Sequence, residues 1–206
     1  PTSGNNFQII SKYYCGDQYN LYNLENVSPG LYEYLNPANI YRYQPKSLMS
    51  LIVNENFVFP VHKKVAVKMN AFLGMHFSTT KNPYQNEEYT PYLFLNQQYN
   101  LGGSEYNFNG NNPEFNGMKQ KEFPINSFAK AGIEVQYNFY KKFYFTPSIQ
   151  YGVGSSELSP FKQGDQILGY GFNLGYESIL GPISLNISKN DGLNIWRTYF
   201  SIGFKF

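Results

Sequence analysis

Apolar and polar residues alternate singly over long stretches of this chain, and a period of two is what a β-strand imposes and a helix of period 3.6 cannot sustain. In 167–180, Leu168, Tyr170, Phe172, Leu174 and Tyr176 oppose Gly169, Gly171, Asn173, Gly175 and Glu177. In 128–140, Ala129, Ala131, Ile133, Val135, Tyr137 and Phe139 oppose Lys130, Gly132, Glu134, Gln136 and Asn138. The same pattern runs through 64–78, where Ala66 and Phe72 are the exceptions, and through 143–153 and 183–188. The final stretch sets Trp196, Phe200, Ile202, Phe204 and Phe206 against Arg197, Ser201, Gly203 and Lys205.

A soluble sandwich with one wet face would alternate in the same way. Against that reading stand strands of ten or more residues with aromatics along the whole apolar face, where ordinary strands run five or six. Composition points the same way: 19% of the 206 residues are aromatic and 15% charged, against roughly 25% charged in a soluble domain. The mean hydropathy of −0.45, with no apolar run near the roughly 20 residues of a spanning helix, excludes helical membrane segments. Barrel strands escape that exclusion, because their two faces average out. The charges add a sided signal. Lys68, Lys130, Glu134, Glu177 and Arg197 all fall on the polar face of their stretches, as expected where an outward Lys or Arg at mid-membrane costs roughly 2–4 kcal/mol. The expected fold is an all-β, antiparallel transmembrane β-barrel of about ten strands occupying 1–206. Phe172, Leu174, Ile133, Val135, Leu185, Phe200 and Ile202 should meet lipid, and the five charges should line the lumen.

Turn lengths divide the connections into two kinds. Short ones lie at His62 and Lys63, at Tyr140 to Lys142 and at Leu180 to Pro182, the last with Gly-Pro turn chemistry. Long ones, 15–46, 79–91, 111–126 and 154–166, are expected as external loops, with the short turns periplasmic. With 6–14 as a strand, and 92–110 as a hairpin turning at Leu101, Gly102 and Gly103, the count becomes ten. Within 15–46, Leu31 to Tyr34 and Ile40 to Tyr43 could form a further short hairpin.

Chemistry is sparse in this sequence. A net charge of +2 sets up no field for a polyanion, so nucleic acid is not an expected partner. One Cys and two His leave no disulfide framework and no obvious metal set. Gly152-Val153-Gly154-Ser155-Ser156 lacks the second glycine of a nucleophile elbow. Gly169, Gly171 and Gly175 have the wrong spacing for a nucleotide loop and read better as positions that let a wall curve or another element come close. No catalytic, cofactor or metal site is expected. Charges of both signs on one face suggest a structural ladder or ring, with a selectivity filter as the alternative.

The run Gly169 to Tyr176, the turn Leu180-Gly181-Pro182-Ile183 and the ending Tyr199 to Phe206 resemble the last three strands of the outer-membrane assembly-factor superfamily. Within it, they are most similar to the barrels that anchor bacterial patatin-like phospholipases. The resemblance covers about 126–206. It implies a bacterial outer-membrane location, with membrane lipid and the barrel insertion machinery as partners and other envelope proteins besides. It also implies that Phe200, Ile202, Phe204 and Phe206 form an assembly signal read by that machinery. Barrels of that superfamily have sixteen strands, and a patatin domain would carry its own catalytic residues, so none is carried over. The chain is then either the C-terminal part of a longer protein or a complete small barrel. The expected function is a non-enzymatic anchor, scaffold or partner subunit. Alternatives are the barrel of a lipid hydrolase whose chemistry lies outside this chain, and a small-solute pore.

Overall fold

The computed structural model describes residues 4–15, 42–43, 47–78, 90–91, 98–101, 113–119, 123–162, 164–179 and 181–203. The alternating stretches become strands: β1 (Gly4–Cys15), β3 (Ser47–His62), β4 (Val65–Ser78), β8 (Ser127–Tyr140), β9 (Phe143–Ser155), β10 (Asp165–Ser178), β11 (Gly181–Asn190) and β12 (Arg197–Ile202). Between them lie short pieces, β2 (Arg42–Tyr43), β5 (Thr90–Pro91), β6 (Tyr99–Leu101) and β7 (Phe123–Ile125). The eight long strands form one sheet in the order β1-β3-β4-β8-β9-β10-β11-β12, antiparallel at every step. The all-β antiparallel class expected from the alternation is therefore the class observed. The sheet is open among the described residues, with β1 and β12 as its edges.

Among the described residues the main sheet has eight strands, where about ten were expected. β4 pairs directly with β8, from Val65↔Tyr137 to Gly74↔Phe128, so no hairpin from 92–110 stands between them. Tyr99–Leu101 instead pairs with Phe123–Ile125 as a separate two-stranded ladder. The edge that such a hairpin would need on β4 is already hydrogen-bonded to β8. Apart from Gln98, the rest of 92–110 lies outside the described residues, as does Leu31 to Tyr34; of the other suggested piece, Arg42–Tyr43 pairs in parallel with Thr90–Pro91. The β3–β4, β8–β9 and β10–β11 turns emerge at one end, and the longer connections at the other.

β4, β8 and β10, of 14 residues each at about 3.3 Å per residue, are longer than a crossing of a bilayer requires. One face of the sheet is apolar and open along this length. Ile133, Val135, Leu174, Phe200 and Ile202 are exposed, with Ile202 at 61%, while Phe172 and Leu185 are half-buried. Soluble monomers rarely carry apolar surface on this scale.

The opposite face holds the core, a cluster of Ile52, Phe72, Tyr99, Phe115, Met118 and Phe128. Ala66 and Phe72, the two breaks in the alternation, belong to this face and are buried at 2% and 6%. Phe72 breaks the pattern because Tyr99 and Phe128 pack against it on the polar face. Tyr99 packs edge-on against Phe72, with ring centroids 5.9 Å apart, and stacks on His76 at 5.2 Å. Its hydroxyl shares a 3.0 Å hydrogen bond with Ser50, and burial pushes that phenol up to about 12, so it stays protonated.

Candidate functional site on the polar face

A short segment, Glu114 to Met118, lies across the polar face of the sheet and is the most heavily anchored feature there. Glycines prepare its track. A Cβ on Gly152 would come within 2.9 Å of the Phe115 and Phe128 rings, and one on Gly169 within 2.8 Å of Phe115. The aromatic ring thus rests where the wall has no side chains. Of the two uses foreseen for Gly169, the close approach of another element is the one realised.

Polar side chains of three strands then hold the segment's backbone. The Asn116 N–H donates to Gln150 Oε1 at 2.9 Å, and the Asn116 side-chain amide to Ser148 Oγ at 3.0 Å. The Gly117 N–H donates to Ser188 Oγ at 3.0 Å, while Asn190 Nδ2 donates to the Gly117 carbonyl at 2.9 Å. The Tyr199 hydroxyl donates to the Met118 carbonyl. Gly117 has φ +75°, a conformation that only glycine adopts without strain. Backbone groups buried away from water must find partners, and here β9, β11 and β12 supply them. With Phe115 and Met118 buried as well, worth roughly 1.5–3 kcal/mol each, the segment is a fixed part of the fold.

The expected charges fall on this face but do not form one ladder. Lys68 and Glu134 face each other across β4 and β8, with Nζ 3.3 Å from Oε1, and Asn70 Nδ2 donates to the same carboxylate at 3.2 Å. Lys130 instead donates to the backbone carbonyl of Glu114, so it anchors the segment. Glu177 sits at the exposed turn end and accepts the Tyr144 hydroxyl at 2.7 Å. Arg197 pairs in register with Ser188 and so shares the face. Of the suggested assembly residues, Phe200 and Ile202 lie on the apolar face; Phe204 and Phe206 lie outside the described residues.

Between the segment and the wall remains a polar cavity of about 190 Å³, bordered by Lys68, Glu134, Ser148, Asn173, Asn186 and Tyr199. At about 30 Å³ per water, it has room for roughly six waters or one small solute. Asn173 Oδ1 is buried there without a hydrogen-bond partner. The sequence reading missed the residues that clamp the segment, Gln150, Ser188, Asn190 and Tyr199. Their only sequence signal is that they are polar on the alternating face. Elsewhere, the Ser155 hydroxyl is engaged in its own turn, donating to the Lys162 carbonyl at 2.7 Å and accepting the Glu157 N–H at 3.0 Å. His62 Nδ1 accepts the Lys64 N–H in the β3–β4 turn, well separated along the chain from the buried His76.

The wall, its apolar face and the segment clamped on its polar face belong to residues that a single family model also covers: the model of the OMP85 superfamily matches 38–206. The chain belongs to the OMP85 superfamily. No curated protein matches it. Membership fits an outer-membrane barrel of the Gram-negative envelope, and it accounts for the open apolar face. Residues 38–206 include β2 to β12 and leave β1 outside the matched region.

Proposed function

We propose that this OMP85 chain forms part of the wall of an outer-membrane barrel that acts as anchor, scaffold or partner subunit of an envelope complex, without chemistry of its own. The observation that carries the proposal is the clamped segment Glu114 to Met118 on the polar face. A face occupied by the protein's own backbone suits a structural wall better than a solute pathway, which weakens the pore reading. The same observation bears on barrel size. An eight-stranded barrel has an interior just wide enough for side chains, whereas this face also holds a stretch of backbone. Closure of β1 on β12 alone would leave no room for it, and unpaired edges are not tolerated in hydrocarbon, so the wall fits a wider barrel with further strands between those edges. The short turns are then periplasmic and the connections 15–46, 79–91, 111–126 and 154–166 leave from the external end. Of these, 111–126 contributes Glu114 to Met118, which lie on the polar face, and the charges Lys68, Lys130, Glu134, Glu177 and Arg197 line the lumen on that face.

A second reading, the anchoring barrel of a patatin-like lipid hydrolase, is favoured by the Leu180-Gly181-Pro182-Ile183 turn on which the resemblance rests. Gly181 has φ +105°, and the Ser178 hydroxyl closes the turn onto its carbonyl. Gentle extraction from native membranes, followed by intact mass measurement, separates the readings. Other envelope proteins held non-covalently support the scaffold. A single polypeptide far heavier than 23.8 kDa that hydrolyses phospholipid esters selects the hydrolase and removes the proposal.

Two further outcomes are expected. Deleting Phe206 should lower the amount of chain that reaches the membrane several-fold while leaving the thermal stability of the inserted fraction little changed. Quantitative blotting of membrane fractions checks the first, and a melting curve the second. Protease added to intact cells should cut at Lys162 before it cuts at Lys141 or Lys142. The reverse order would invert the topology.

A further inference from the structure

We propose that the turn end of the sheet is a binding site for the phosphate headgroups of anionic phospholipid. The inference rests on the reading of the sheet as a membrane wall and adds which lipid it holds. Lys63 and Lys64 form the β3–β4 turn and Lys141 and Lys142 the β8–β9 turn, and all four are exposed. Asn138 ties the two turns together: its backbone N–H donates to the Lys64 carbonyl at 2.8 Å, and its side-chain amide to the Lys141 carbonyl at 2.8 Å. Four of the chain's 16 basic residues are thereby gathered on neighbouring tips. Neither 60–66 nor 139–145 contains an Asp or Glu. Among the described residues of this rim, the Glu177 carboxylate accepts the Tyr144 hydroxyl.

Directly behind the lysines lies a band of exposed aromatics, Phe59, Tyr137, Phe139, Tyr140, Phe143 and Tyr176. The Phe143 and Tyr176 rings stand 4.6 Å apart, and Lys141 Nζ lies 5.2 Å from the Tyr140 ring centre. Aromatics of this kind sit at headgroup depth, so the ammonium groups just beyond them are at the level of lipid phosphates, for which lysine serves as a point-charge partner. The other end of the sheet differs. There Lys162 is paired with Glu157 at 3.6 Å, and Asp165 and Asp191 are exposed. The cationic end, not the sheet as a whole, therefore selects anionic lipid, and in the leaflet that the turns face that lipid is phospholipid.

The full chain should be inserted into vesicles of phosphatidylcholine alone and of phosphatidylcholine with phosphatidylglycerol, and the lipids retained by the released protein counted by native mass spectrometry. Phosphatidylglycerol should be retained over phosphatidylcholine by about tenfold, with the preference falling as salt is raised. The combined variant Lys63→Gln, Lys64→Gln, Lys141→Gln and Lys142→Gln should lose the preference and still insert into phosphatidylcholine, while Lys162→Gln should keep it. An unchanged preference in the combined variant overturns the site. In a third set of vesicles that also contain lipopolysaccharide, its retention in place of phosphatidylglycerol, dependent on the same lysines, overturns the assignment to phospholipid. Failure of the unmodified chain to insert into either vesicle overturns the membrane reading, and the site with it.

Discussion

Gly117→Val is expected to release the segment Glu114 to Met118 from the wall. A Cβ at this position would lie 2.4 Å from the Asn190 nitrogen and 2.4 Å from the Lys189 carbonyl carbon, both backbone atoms of β11, so no side-chain rotation relieves the clash. The positive φ adds strain for any residue with a Cβ, and overpacking adds more; together they amount to roughly 2–5 kcal/mol. Release strands the partners as well, since Ser188 and Asn190 are almost fully buried and would lose their hydrogen bonds to the segment. The measurement is limited proteolysis of the inserted protein at Lys119, which directly follows the clamped residues. The variant should be cut much faster than the parent, with a lower urea midpoint. Parental cleavage rates would mean that β11 yields where the geometry gives it no room. Asn190→Ala, which removes one donor without adding volume, should show the same changes at a smaller scale.

Ile149→Arg is expected to have the other large effect, on insertion. Ile149 lies midway along β9, is 50% exposed on the apolar face and stands opposite Ile133 on one side and Tyr170 on the other. A cation there meets hydrocarbon at a cost of roughly 2–4 kcal/mol, whereas Ile149→Leu should be neutral. Refolding into vesicles, followed by heat-modifiable mobility on gels, reads the inserted fraction. Equal yields for the arginine and leucine variants would show that this face does not meet lipid.

These two residues also mark what a sequence of this kind discloses. The role of Ile149 is legible because alternation is local: a residue's face follows from its immediate neighbours, and β8, β9 and β10 appear where the period of two runs unbroken. The role of Gly117 is not legible in that way. Its partners Ser188 and Asn190 lie 71 and 73 residues along the chain, and nothing in Phe115-Asn116-Gly117-Met118 distinguishes a buried crossing from an ordinary loop tip. The same limit explains Phe72, which looks like a fault in a pattern until the Tyr99 side chain packs against it on the polar face. It explains the surplus hairpin too, for a stretch rich in Tyr and Asn fits a strand locally while β8 already occupies the β4 edge. Charge placement was readable as to face, but not as to partner. Lys130 bonds a backbone carbonyl that no rule of spacing would have named.

The open apolar face has a consequence for how such a chain changes over generations. Its residues are held to a property, not to an identity: at Ile133, Ile149, Leu174 or Ile202 any lipid-compatible side chain serves, because the neighbours are fluid and impose no shape. The covered face obeys the opposite rule, as a methyl group at Gly117 or Gly152 collides with a fixed neighbour. Drift should therefore be fastest on the side that looks most like a hydrophobic core and slowest among small and polar residues. A chain evolving in this way keeps a recognisable pattern while its individual residues change, and this accords with a match to the superfamily across 38–206.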